Sequence, residues 1–98
     1  MTKVRFLPAA ELELLRETSY YSKARAGTGA RFNQAVRQAV LRAVHMPHAG
    51  APSFEETRTM LVKGFPFSVV YRASAVELLV VAVAHHRREP AYWAARIA

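Results

Sequence analysis

Val76 to Ala84 is a nearly unbroken aliphatic run, interrupted only by Glu77. It is far shorter than the roughly 18 residues a membrane-spanning helix needs. A run of this length and composition reads as a central strand, covered on both faces or paired along both edges. The rest of the chain therefore has to provide its neighbours. Two candidates lie directly upstream. Arg58 to Lys63 alternates, with Arg58, Met60 and Val62 on one face and Thr59, Leu61 and Lys63 on the other. After the turn Gly64-Phe65-Pro66, the residues Phe67, Val69 and Tyr71 alternate with Ser68, Val70 and Arg72. Period-two patterning of this kind marks strands with one buried face. Ala73-Ser74-Ala75 then turns the chain into the aliphatic run.

The first half has a different period. Val4 to Leu7 is a short strand-like run that stops at Pro8, a residue suited to a first helical turn. Leu12, Leu15 and Ser19 or Tyr20 then recur at helical spacing, with Glu11, Glu13, Arg16 and Glu17 largely opposite. The glycines in Ala24 to Gly29 read as a turn. A second helix is expected from about Ala30 to Val44, with an apolar stripe of Phe32, Val36, Ala39, Val40, Ala43 and Val44. His45 to Ser53, with Pro47, Gly50 and Pro52, reads as loop. The resulting order is β-α-α-β-β-β with a short amphipathic tail, Tyr92 to Ile97. That order implies an α+β fold, a helical hairpin packed on one face of a small, mainly antiparallel sheet. The expected core is Leu12, Leu15, Phe32, Val36, Val40, Val69, Tyr71, Leu79, Val81 and Val83, and the aromatics Tyr20, Tyr21, Phe65 and Phe67 are expected on apolar faces as well.

At 98 residues the chain is expected to be one domain, residues 1–98. Lys and Arg number 14 against seven Asp and Glu, a formal charge of +7. The excess is spread as +2, +3 and +2 over residues 1–30, 31–64 and 65–98, so there is no basic tail. Only Lys3, Lys23 and Lys63 are lysine; the other cations are arginine, whose planar fork suits carboxylate or phosphate. A basic, Arg-rich domain points to nucleic acid or to an acidic protein partner. There is no cysteine, which excludes disulfides, thiolate zinc sites and cysteine nucleophiles. Met1 to Phe6 carries no signal-peptide core, so a cytoplasmic location without membrane attachment is expected.

The densest polar cluster is His85-His86-Arg87-Arg88, at the end of the central strand. If the strand continued, His85 and Arg87 would share one face, and His86 and Arg88 the other. An imidazole beside a guanidinium can move a proton next to a bound anion. A charged sheet edge with one packed histidine is the plain alternative. No metal site is expected, because His45 and His48 are separated by Pro47, His85 and His86 point apart, and no Asp occurs. Ser19, Ser22, Ser53, Ser68 and Ser74 lack a nucleophile-elbow setting, and Gly27-Thr28-Gly29 lacks the strand and lysine of a phosphate loop. Tyr92 and Trp93 adjoin the cations, where they can stack on a base or anchor the tail.

The segments Val62 to Arg72 and Val81 to Trp93 resemble the RelE/ParE superfamily of bacterial type II toxin–antitoxin toxins, as do Phe6 to Leu14, Tyr20-Tyr21 and Gly29 to Phe32. The resemblance covers nearly the whole chain. It implies a growth-arresting toxin with no cofactor, neutralised by a cognate acidic antitoxin in a hetero-oligomer. Within the superfamily, ParE-like members inhibit DNA gyrase and RelE-like members cleave mRNA on the ribosome. The lysine-rich stretch of the RelE-like members is missing here, and only Lys63 remains, so the resemblance favours a ParE-like gyrase inhibitor. The alternatives are a RelE-like mRNA endonuclease, an inactive toxin, or a nucleic-acid-binding module on the same fold. Under the nuclease alternative, Arg58, Lys63, His86, Arg87 and Tyr92 are the catalytic candidates. For target binding they are His85, His86, Arg87, Arg88, Tyr92, Trp93 and Arg96, and for the antitoxin Arg31, Arg37 and Arg42.

Overall fold

The computed structural model describes residues 2–98; Met1, where the leader reading began, lies outside the described residues. Strand β1 (Lys3–Phe6) leads into helix α1 (Pro8–Ala24), which starts with Pro8 in its first turn and Leu7 as the extended residue before it. Helix α2 (Thr28–His45) begins two residues earlier than the apolar stripe alone implied. The tight link between the helices requires Gly27, whose φ of 83° is left-handed. Gly29 is needed for another reason: a Cβ there would collide with the Ser22 side chain and the Thr18 carbonyl of α1. The two helices therefore cross closely at this point.

Strands β2 (Ala51–Pro52), β3 (Arg58–Val62), β4 (Phe67–Ala73) and β5 (Glu77–His85) follow. The sheet order is β1-β5-β4-β3-β2. Only β1 runs parallel to its neighbour β5, and the remaining pairs are antiparallel. The aliphatic run is thus paired with β4 along most of its length and with β1 over Glu77 to Val80. The two-residue β2 lies inside what reads as loop in the sequence, held against β3 by Ala51 opposite Thr59.

The hairpin covers one face of the sheet over a cluster including Ala10, Leu14, Phe32, Val36, Val40, Val62, Phe67, Val69, Tyr71, Leu78 and Val80. Tyr21, Phe32, Phe65 and Phe67 pack together in it, edge-to-face for Tyr21–Phe65, Phe32–Phe65 and Phe32–Phe67 and tilted at 35° for Tyr21–Phe32, with these centroids 5.0 to 5.1 Å apart. One sequence expectation, the buried stripe of α1, fails here. Leu12 and Leu15 are 45% and 58% exposed, and Tyr20 is 63% exposed. The buried stripe of α1 is instead Ala10 and Leu14, which lie at four-residue steps from Thr18, where α2 approaches closely at Gly29. In β5 the expected core residues Val81 and Val83 are buried and Leu79 is half-buried, but Val81 and Val83 lie on different faces. Val70 pairs with Ala82 but Tyr71 pairs with Val80, so Val81 is the extra residue of a β-bulge. Past the bulge the facing of β5 inverts. Leu78, Val80 and Val83 face the hairpin, whereas Val81 and Ala82 join Val70 and Trp93 on the opposite face.

Candidate functional site

That opposite face is covered by the C-terminal tail, which ends in a single 3-10 turn, Ala94–Arg96. Trp93 is 4% exposed and packs on Val70, Val81 and Ala82, so it anchors the tail rather than offering a free ring. Strand β5 stops at His85, and His86 to Arg88 form a turn, with the Arg88 N–H donating to the His85 carbonyl at 3.0 Å. The alternating placement expected for these four residues therefore ends with His85. Its ring stacks edge-on against Phe67 at 4.9 Å, and its Nδ1 accepts from the Arg87 N–H at 3.0 Å. His86, Arg87 and Arg88 are exposed. His86 Nε2 is 2.9 Å from the Ser68 hydroxyl.

A shallow cleft of about 200 Å³ lies between the tail and the sheet, and Phe54, Ser68, His86, Arg88, Tyr92 and Trp93 are on its walls. Phe54 is 60% exposed on a turn where Glu55 and Glu56 have φ of 56° and 58°. Non-glycine residues in this region cost energy and persist only where the surroundings impose them. Here Arg72 donates to the Glu55 carbonyl, and the Thr57 hydroxyl donates to the Phe54 carbonyl at 2.6 Å.

The organising residue of the tail is Glu13, which the sequence reading set among the polar residues of α1. Its carboxylate accepts from the Tyr92 hydroxyl at 2.6 Å, from both Arg96 Nη atoms at 2.9 Å, and from the Val83 N–H at 3.1 Å. Burial works against this charge, but the hydrogen bonds from Arg96, Tyr92 and Val83 outweigh it and hold the carboxyl below its ordinary range. Burial, then the bond to Glu13, pushes the Tyr92 hydroxyl well above the usual tyrosine value. The Arg88 guanidinium lies 3.8 Å from the centroid of the Tyr92 ring, a cation–π contact. The available signal was a carboxylate three residues from Ala10 and next to Leu14, on the margin of the buried stripe.

The remaining candidates lie apart. Arg58 donates to the carbonyls of His48 and Gly50 at 3.2 and 2.8 Å, which braces the loop before β2. Its register partner Tyr71 pairs in turn with Val80, so Arg58 is well removed from His85. Lys63 follows Val62, whose partner Phe67 pairs with His85, which puts this exposed lysine at the same end of the sheet as the cluster. On α2, Arg31 donates to Thr28 Oγ1 at 2.9 Å, Arg37 to Asn33 Oδ1 at 2.7 Å and Arg42 to the Leu61 carbonyl at 2.6 Å. Arg37 also borders a groove of about 550 Å³ between β1 and the hairpin, whose other walls include Val4, Phe6, Leu14, Val40 and Leu41. No helix among the described residues is long and apolar enough to cross a membrane.

This fold of a helical hairpin on a five-stranded sheet has a solved counterpart. A chain from the chromosomal ParDE toxin–antitoxin system of P. aeruginosa matches it with a TM-score of 0.71 at 18% identity, over 87% of this chain and 96% of that one. The match establishes the fold. The family model for the ParE toxin of the type II toxin–antitoxin system parDE matches residues 4–90. The chain belongs to the ParE toxin family. No curated protein matches it.

Proposed function

We propose that this protein arrests growth by binding and inhibiting DNA gyrase, and that a cognate acidic antitoxin neutralises it. The observation that carries the first part is the state of Tyr92. A nuclease of the RelE-like kind needs a hydroxyl free to take part in proton transfer next to convergent cations. Here the Tyr92 hydroxyl is spent on Glu13, and Arg58 is spent on the backbone before β2. What remains presented is His86, Arg87 and Arg88 beside the ring of Tyr92, with exposed Lys63 at the same end of the sheet. His85 is bonded to the Arg87 N–H, Arg96 lies near the Tyr92 ring and Trp93 anchors the tail. Such a surface binds an acidic protein patch without a catalytic set.

The antitoxin half of the proposal rests on family membership and on the groove between β1 and the hairpin. Its apolar walls, with Val4 44% and Leu41 48% exposed, fit an amphipathic segment that folds as it binds. Arg37 at the groove, with Arg31 and Arg42 along α2, would receive its carboxylates. A chain carrying +7 should then associate faster at low salt than at high salt.

The test is purified protein in a gyrase supercoiling reaction and, in parallel, in a translating-ribosome mRNA cleavage reaction. Loss of supercoiling with intact mRNA is the expected result. Cleaved mRNA with unaffected supercoiling would overturn the proposal in favour of the endonuclease.

A further inference from the structure

Strand β1 ends opposite Val80, where the Leu7 N–H still donates to the Val80 carbonyl at 2.9 Å. Beyond that point no strand among the described residues covers this edge of β5. Its polar groups are met by side chains instead: the Val83 N–H donates to Glu13 Oε1 at 3.1 Å, and Arg96 Nη1 donates to the Val81 carbonyl at 3.0 Å. Glu13 and Arg96, paired at 2.9 Å, thus stand in for a missing strand exactly where the bulge turns Val81 and Ala82 toward the tail. The same carboxylate takes the Tyr92 hydroxyl at 2.6 Å, and the face of that ring carries the Arg88 guanidinium at 3.8 Å. Arg88 itself forms no ion pair among the described residues, so the Tyr92 ring is the side chain that sets its position.

We propose that Glu13, on α1 and outside the presented surface, is the positioning residue of the toxic surface: by clasping Tyr92 and Arg96 over the open edge of β5, it sets Arg88 for contact with an acidic target. The inference rests on the target-binding reading above. A glutamine cannot replace this group. Arg96 can only donate and does so to both carboxylate oxygens, so whichever end of the amide carries its N–H groups would face a guanidinium N–H, even where the Tyr92 hydroxyl turns to accept. The clasp would open on the tail side, while the hairpin, held by apolar packing, would remain.

The test compares the full-length protein with Glu13→Gln, Arg88→Ala and the double variant, by half-inhibitory concentration in gyrase supercoiling and by amide exchange at Val83. Each single variant should weaken inhibition by about tenfold, and the double variant by about tenfold rather than about a hundredfold, because both act through one contact. The Val83 amide should exchange at least about tenfold faster in both Glu13→Gln proteins and at the parent rate in Arg88→Ala. Parent-like inhibition by Glu13→Gln beside a weakened Arg88→Ala, or losses that multiply, would overturn the positioning role. Parent-like inhibition by Arg88→Ala would instead overturn the target-surface reading, and the positioning role with it. If Glu13→Gln does not fold, Tyr92→Phe removes only the hydroxyl link. A folded Tyr92→Phe should weaken inhibition without adding to Arg88→Ala, and parent-like inhibition would again overturn the proposal.

Discussion

The two faces of the sheet are covered in opposite ways. On the hairpin side, two helices bury a broad apolar cluster and the aromatic group of Tyr21, Phe32, Phe65 and Phe67. On the other side, a tail of about one turn covers a smaller cluster, Val70, Val81 and Ala82 with Leu79 and Ala84 at its margin, through Trp93, and it is held by the Glu13 clasp. The first layer rests on non-directional burial, which tolerates small displacements. The second rests on a few directional bonds around one charge. A surface presented by the second layer is therefore sensitive to single polar substitutions that the fold itself survives.

The largest effect that sharpens this contrast belongs to the hairpin side. Phe32→Ala should cost about 3–5 kcal/mol, much of the stability of a domain this size. A thermal melt followed by far-UV circular dichroism checks it, and toxicity should be lost through unfolding. Val80 and Val81 give a closer comparison, being adjacent, both 0% exposed and on opposite faces. Val80→Ala should cost about 2–3 kcal/mol and Val81→Ala about 1–2 kcal/mol, because the tail can settle into the space and the hairpin cannot. Equal losses in paired denaturant titrations would break the contrast.

Acid should separate the layers. The Glu13 carboxyl is held below its ordinary value of 4.5, so its contribution is fully present above that value and is lost as pH falls through the lower folded value. Trp93 emission should report loosening of the tail at a higher pH than the loss of helical circular dichroism. The smallest expected change in stability is that of Arg87→Ala or Arg88→Ala, within about 0.5 kcal/mol, since both side chains are exposed. Their effect should fall on inhibition of gyrase, weakened by about 1–2 kcal/mol and restored at high concentration.

Several features were legible in the residues alone. They include the β-α-α-β-β-β order, the hairpin on one sheet face, the apolar stripe of α2 from Phe32 to Val44, and the central place of Val76 to Ala84. All of these follow from local periodicity and turn chemistry, which act over a few residues. The exposure of the cations after β5 was also legible, because a strand end before a proline-bearing segment has to emerge from the sheet.

Other features were decided only on closure of the fold. In α1, the stripes Leu12–Leu15 and Ala10–Leu14 are both helical, and the buried one is the second, in line with Thr18 where α2 approaches at Gly29. In β5, strict alternation groups Leu79, Val81 and Val83, but the bulge at Val81 sends Val81 to the tail side and Val83 to the hairpin side. Glu13 looked like one more solvated acid. Its partners lie 70, 79 and 83 residues away in the sequence, beyond the reach of any local pattern. Periodicity tells a chain which stripes can be buried; which stripe is buried, and which polar groups are left at an open edge, depends on where distant segments arrive.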